Sequence, residues 1–320
     1  SFMKRKVIQI AESTLLVSLP KKWAVLNNVK KGDEVDLQPE GSKIIIRTEV
    51  KPEFKQVDVN VDGMDRTSVF RTIRGLYRKG YDEININFNK QYSFYFTKDI
   101  QEKTSSLIYQ EANRLTGLEI MKQTDNFCCL RVISESSSKE FDNILRRIFF
   151  LLKDLYIEFA RAINLNDKIL LDTIYEKHFT ISKFISYCLR LLNKYGYEDQ
   201  SKIPFLHSIL VMLDSITDSI KDAAKDALAY DKELSPSAKE MIQLVSSAFD
   251  MYYKFFYNID FAQQSEVNHI RKMVHDELFS GKGTCGELVI VSKFSKTIDL
   301  FTDMFEAKIS IHEFSSVKSL

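Results

Sequence analysis

Two acidic phrases, far apart in the chain, carry residues whose spacing suits metal chemistry. Asp214, Asp218 and Asp222 fall four residues apart, and Asp299 and Asp303 repeat the step about 80 residues later. In a helix such residues share one stripe. Carboxylates grouped in this way supply oxygen ligands for a divalent or trivalent cation such as Fe, Zn, Mg or Mn. A solvated acidic helix face has the same pattern: unpaired like charges at this spacing cost only about 0.2–0.5 kcal/mol per pair, and Lys221 and Lys225 offset them. At this level both readings stand.

The second chemistry-bearing group is basic. Lys4-Arg5-Lys6 opens the chain's first strand-like stretch, and Lys21-Lys22 follows the second. Clustered cations of this kind meet the phosphates of DNA, or else they are solvated lysines on a module whose only task is to pair two chains. The net charge of the 320 residues is +1, so any attraction to nucleic acid must come from a local patch.

Catalysis finds little support. The five histidines, His178, His207, His269, His275 and His312, form no HExxH spacing, and neither GxxxxGK[ST] nor GxSxG occurs. A non-enzymatic protein is expected. Cys128, Cys129, Cys188 and Cys285 lack CxxC spacing, which points away from a zinc ribbon or disulfide framework and toward a reducing, cytoplasmic compartment. Uninterrupted apolar runs stay at about five residues, as in Ile148–Leu152, against the roughly 20 needed to span a bilayer. No membrane insertion is expected.

The elements that must position these groups fall into three segments, so the chain reads as multidomain. Residues 3–50 hold four short strand-like stretches and one small helix beginning at Pro20, with turns at Lys31-Gly32-Asp33 and Glu40-Gly41. So few residues bury little core alone, and two copies are expected to complete one barrel. Residues 53–133 read as an α+β domain: strands at 57–61, 83–88 and 93–96, helices at 65–79 and 99–115, and a closing hairpin at 118–121 and 127–133. Residues 136–316 read as six helices in two three-helix repeats, about 136–231 and 235–316. The related phrases Leu213-Asp-Ser-Ile-Thr-Asp218 and Phe294-Ser-Lys-Thr-Ile-Asp299 mark the third helix of each.

The first segment resembles the AbrB/SpoVT (swapped-hairpin) DNA-binding domains, on the strand Val17-Ser-Leu-Pro20-Lys21 and the turn Lys31-Gly-Asp-Glu-Val35. The resemblance implies a dimeric, β-rich barrel that presents Lys4, Arg5, Lys6, Lys21 and Lys22 to double-stranded DNA. Ala11-Glu12-Ser13 stands where that family has a Gly-Gly-Ser turn, which places an acid near the proposed patch.

The helical phrases resemble the Leu-Glu-Arg-Ile-Gly-Asp motif of PhoU proteins, and Arg74-Gly-Leu-Tyr-Arg-Lys-Gly-Tyr-Asp-Glu-Ile84 resembles the segment joining the domains in archaeal-type PhoU regulators. The resemblance implies an all-α PhoU-like region whose metal residues are Asp214, Asp218 and Asp222, then Asp299 and Asp303. Ser295 replaces the first acid of the second repeat. Together the two resemblances imply a DNA-binding regulator of phosphate uptake. The alternative is a PhoU-like adaptor that docks on a phosphate ABC transporter and uses the first module only for dimerisation.

Overall fold

Short strands broken by turn residues shape the first part of the chain, and long helices the last. The computed structural model describes residues 4–10, 14–47, 53–134 and 140–313. They form two compact units, Ser1–Glu53 and Phe54–Leu320.

In the first unit β1 (Val7–Ile10) pairs antiparallel with β2 (Thr14–Val17), Val7 opposite Val17. Helix α1 (Lys21–Leu26) follows, with Pro20 at the N-cap rather than inside the first turn. β3 (Asp36–Glu40) and β4 (Lys43–Arg47) make a second antiparallel hairpin, turned at Gly41, whose φ of 56° suits a residue without Cβ. The hairpins remain separate two-stranded sheets. No described residue from 4 to 47 with an assigned exposure is buried. Val7, Ile8, Ile10, Leu15, Val17, Leu37 and Ile44 are all more than half exposed. Hairpins of this length are marginal alone in water. The Ala11-Glu12-Ser13 turn lies outside the described residues.

The second unit begins with a four-stranded sheet in the order β5-β6-β10-β9, made from β5 (Gln56–Asn60), β6 (Glu83–Asn87), β9 (Leu118–Gln123) and β10 (Phe127–Val132). β5 and β6 are parallel, joined by α2 (Arg66–Lys79). Asp65 caps α2 by accepting from Thr67 N–H and Ser68 N–H, and Gly80 ends it at a φ of 98°. Val69, Phe70, Ile73 and Tyr77 of α2 share a core with Ile84, Ile86 and Leu130 of the sheet.

The expected helix over 99–115 is shorter. Residues Ile100–Lys103 form strand β8, paired with β7 (Tyr92–Tyr95), and α3 spans only Thr104–Ala112. Tertiary contacts override the helical pattern: Asp99 turns the chain at a φ of 53°, Thr104 N–H donates to Gln91 O, and Arg66 pairs with Glu102 while stacking on Tyr95.

Six helices follow: α4 (Phe141–Leu165), α5 (Lys168–Tyr195), α6 (Ile203–Ala229), α7 (Pro236–Tyr257), α8 (Phe261–Phe279) and α9 (Cys285–Ser310). Asp167, Ser235, Asp260 and Thr284 cap α5, α7, α8 and α9. Within each set of three, consecutive helices pack together, and α4 meets α7 while α6 meets α9. Phe149, Tyr156 and Phe159 of α4 lie against Phe249, Tyr252, Phe294 and Phe301 at that junction. The stretch Gln200–Ala229 is long and apolar enough to cross a membrane. Its apolar side, including Ile209, Leu213, Ile216 and Ile220, is consumed inside the bundle.

The α+β segment and the helices belong to one unit because α2 lies on α5. Arg190 of α5, 1% exposed, donates to Tyr77 O, Tyr81 O and Asp82, and Lys194 also reaches Asp82.

Candidate nucleic-acid interface and acidic sites

The register of the first hairpin decides where its cations stand. Val7 faces Val17 at the open end. Lys4, Arg5 and Lys6 therefore precede that end, and Lys21 and Lys22 begin α1 four residues beyond it. All five are exposed. The two basic groups lie on chain segments entering and leaving the same end of one hairpin. Such groups suit phosphate contacts, which position a protein on a duplex without reading its sequence.

Helix α6 brings Asp214 and Asp218 against α5 and α2. Arg78 Nη2 donates to Asp214 Oδ2 at 2.8 Å, and Ser182 Oγ donates to Asp214 Oδ1 at 3.3 Å. Asp218 Oδ1 lies 2.8 Å from His178 Nε2 and 2.8 Å from Lys221 Nζ. Burial alone would raise the Asp218 carboxyl, but the hydrogen bonds from His178 and Lys221 prevail and hold it well below the usual carboxylate range. Asp222, half exposed, is 3.6 Å from the same Lys221. Each acid of the stripe thus has a cationic neighbour.

The second repeat differs. Asp299 receives Arg271 Nε at 2.6 Å and lies 3.1 Å from His275 Nε2. Asp303 instead lines an open groove of about 530 Å³ between α6 and α9, with Phe205, His207, Val211 and Glu306. Ser295 is buried. Among the described residues no three His, Cys, Asp or Glu side chains gather as a metal set.

For a cation the two repeats are unequal. The first offers Asp218, His178, Ser182 and Asp214 in a chain of neighbouring donors, at present held by Arg78 and Lys221. The second does not fit: a guanidinium that cannot be deprotonated occupies Asp299, and the position of the missing acid is a buried serine. Nor is Ser182–His178–Asp218 a nucleophile relay. Both partners meet Nε2 of the imidazole, and Nδ1 is buried without a hydrogen bond, whereas a relay needs the two ring nitrogens to serve different partners.

The sequence alone assigns no site role to Arg78, Ser182, Arg271 or His275, and His178 stands there only as a histidine that could join a metal site. A periodic signal existed. His178 and Ser182 stand eleven and fifteen residues after the α5 cap Asp167, and Arg271 and His275 stand at the same steps after the α8 cap Asp260. Nothing in the sequence places Arg78 beside Asp214, since 136 residues separate them.

Comparison with known proteins bears on the first unit. Residues 8–54 match the family model MazE_antitoxin, described as "Antidote-toxin recognition MazE, bacterial antitoxin". Residues 8–54 carry an AbrB-like swapped-hairpin module. It is followed by a mostly helical region. No curated protein matches the chain.

Proposed function

We propose that the chain is a dimeric, cytoplasmic DNA-binding regulator of transcription, without enzymatic activity, that acts in the control of phosphate uptake. The observation that carries the DNA reading is the matched module itself. Its strands leave seven large apolar side chains more than half exposed. Such side chains are each stabilised by about 1.5–3 kcal/mol on full burial. A second copy buries them, and the pairing doubles the set Lys4, Arg5, Lys6, Lys21 and Lys22. Modules of the MazE and AbrB type typically pair and bind DNA.

The phosphate reading rests on the resemblance of the α6, α9 and α2 phrases to PhoU proteins, and six helices arranged as two threes support it. In this reading the first repeat binds one metal ion through Asp214 and Asp218, after displacement of Lys221 and Arg78.

The test is binding of the full chain to a duplex from its own promoter across a salt series. Six to ten phosphate contacts predict a loss of about 10³–10⁵ in affinity between 50 and 200 mM salt. Arg5→Glu, present twice in a dimer, should lower the slope by about 2. Absence of duplex binding even at low salt removes the regulator reading and leaves the transporter adaptor.

The matched family's description favours a second reading, an antitoxin-like protein. In that case the chain should co-purify in stoichiometric complex with the product of an adjacent gene.

A further inference from the structure

Arginines cluster where α2, the end of α3 and α5 come together, and they outnumber the carboxylates that meet them. Glu111, fully buried at the end of α3, accepts from Arg74 Nε at 2.8 Å and lies 3.8 Å from Arg114 Nη1. One carboxylate serves two guanidiniums. Arg78, one turn beyond Arg74, is held by Ser186 and Asp214. Arg66 stands 3.6 Å from Glu102, with its buried Nε lacking a hydrogen-bond partner.

Much of the donor capacity remains unspent. Arg74 uses only Nε among the described residues, so its two Nη groups are open. Arg114 lies over Phe179 and Phe70, with its guanidinium carbon 4.1 and 5.1 Å from the ring centroids. This stacking fixes the plane of the fork without consuming an N–H. Lys183 of α5 adds a further cation, 3.5 Å from Asn113 O. Five cations thus face Glu102, Glu111 and Asp214, with Asp218 also acting on Arg74. The side chains of Arg74, Arg114 and Arg78 keep 30, 26 and 21% exposure, so a small ligand can reach them.

We propose that this arginine cluster binds a phosphate group, with Arg74 and Arg114 as the forked donors and Arg78 as the third charge. A dianion offsets the local excess, and its several oxygens match planar guanidinium forks better than one carboxylate does. The ligand would tie α2 and the end of α3 to α5. It would also compete with Asp214 for Arg78. The inference stands independently of DNA binding, because it concerns the second unit alone.

Isothermal titration of the full chain, without DNA and at constant ionic strength, tests it with two probes: orthophosphate and adenosine monophosphate. At least one should bind once per chain, and comparison of the two identifies a free phosphate or a phosphate monoester as the better occupant. Arg114→Gln should weaken binding about tenfold or more, the worth of one charged hydrogen bond. Glu111→Gln should tighten it several-fold by releasing both arginines, a gain that misfolding cannot produce. No heat from either probe overturns the proposal. Failure of Glu111→Gln to tighten binding also overturns it, whether or not Arg114→Gln folds.

Discussion

Asp218 sits between an imidazole and an ammonium, and those neighbours govern what its carboxylate can do. Its depressed pKa comes from His178 and Lys221 against the opposing effect of burial, so the group is ionised throughout the neutral range. A metal ion must replace Lys221 at Asp218 Oδ1 and Arg78 at Asp214 Oδ2. Protein purified without added metal or chelator should carry metal that an Asp214→Ala/Asp218→Ala variant lacks, as read by elemental analysis. Lys221→Ala should raise occupancy, since it removes the competing cation and leaves all the proposed ligands. Equal metal content in all three proteins removes the site and leaves an ion-paired helix face, the plainer of the two readings of this stripe.

At the scale of elements, the contact between the sheet and the bundle turns on Asp82, which precedes β6 and meets Arg190 and Lys194 of α5. All three side chains are at most 9% exposed. Removing one partner of a buried pair leaves the others uncompensated and costs about 3–5 kcal/mol, so Asp82→Asn should lower urea-unfolding stability by about that amount at pH 7. The sign with pH follows from the lowered Asp82 carboxyl: burial opposes ionisation, but Lys194, the Lys55 backbone N–H and Arg190 prevail. Its contribution is complete above the ordinary value of about 4 and is lost as pH falls through the lower folded value. The difference between wild type and Asp82→Asn should therefore shrink below about pH 4. A constant difference would mean that the lock acts by shape rather than charge.

The same scale shows what the sequence could reveal. The six helices were legible because apolar residues recur at three and four, as at Leu145, Ile148, Phe149 and Leu152, and because Ser235 and Asp260 mark starts. Strand β8 was not, since four residues carry too little pattern and its pairing with β7 fixes it. The α6 acids were legible by spacing. Their partners on α2 and α5 were not, because charge pairing across 40 to 136 residues leaves no local period.

For the whole molecule, the two units depend on different things. Residues of the second share a continuous core from Val61 to Ala307, whereas the first shows no buried side chain among the described residues with an assigned exposure. A module without its own core needs a second copy, and a unit with one does not. A fragment spanning 54–320 should therefore fold alone, with a thermal midpoint within a few degrees of the corresponding transition in the full chain. It should sediment as a monomer and fail to bind duplex DNA even at low salt. The full chain should sediment as a dimer, and Leu15→Asp, placed on the exposed apolar strand β2, should abolish both pairing and DNA binding without shifting the unfolding of the second unit. If the 54–320 fragment dimerises as tightly as the full chain, the first module is not what pairs the protomers. The doubled basic set would then need another origin.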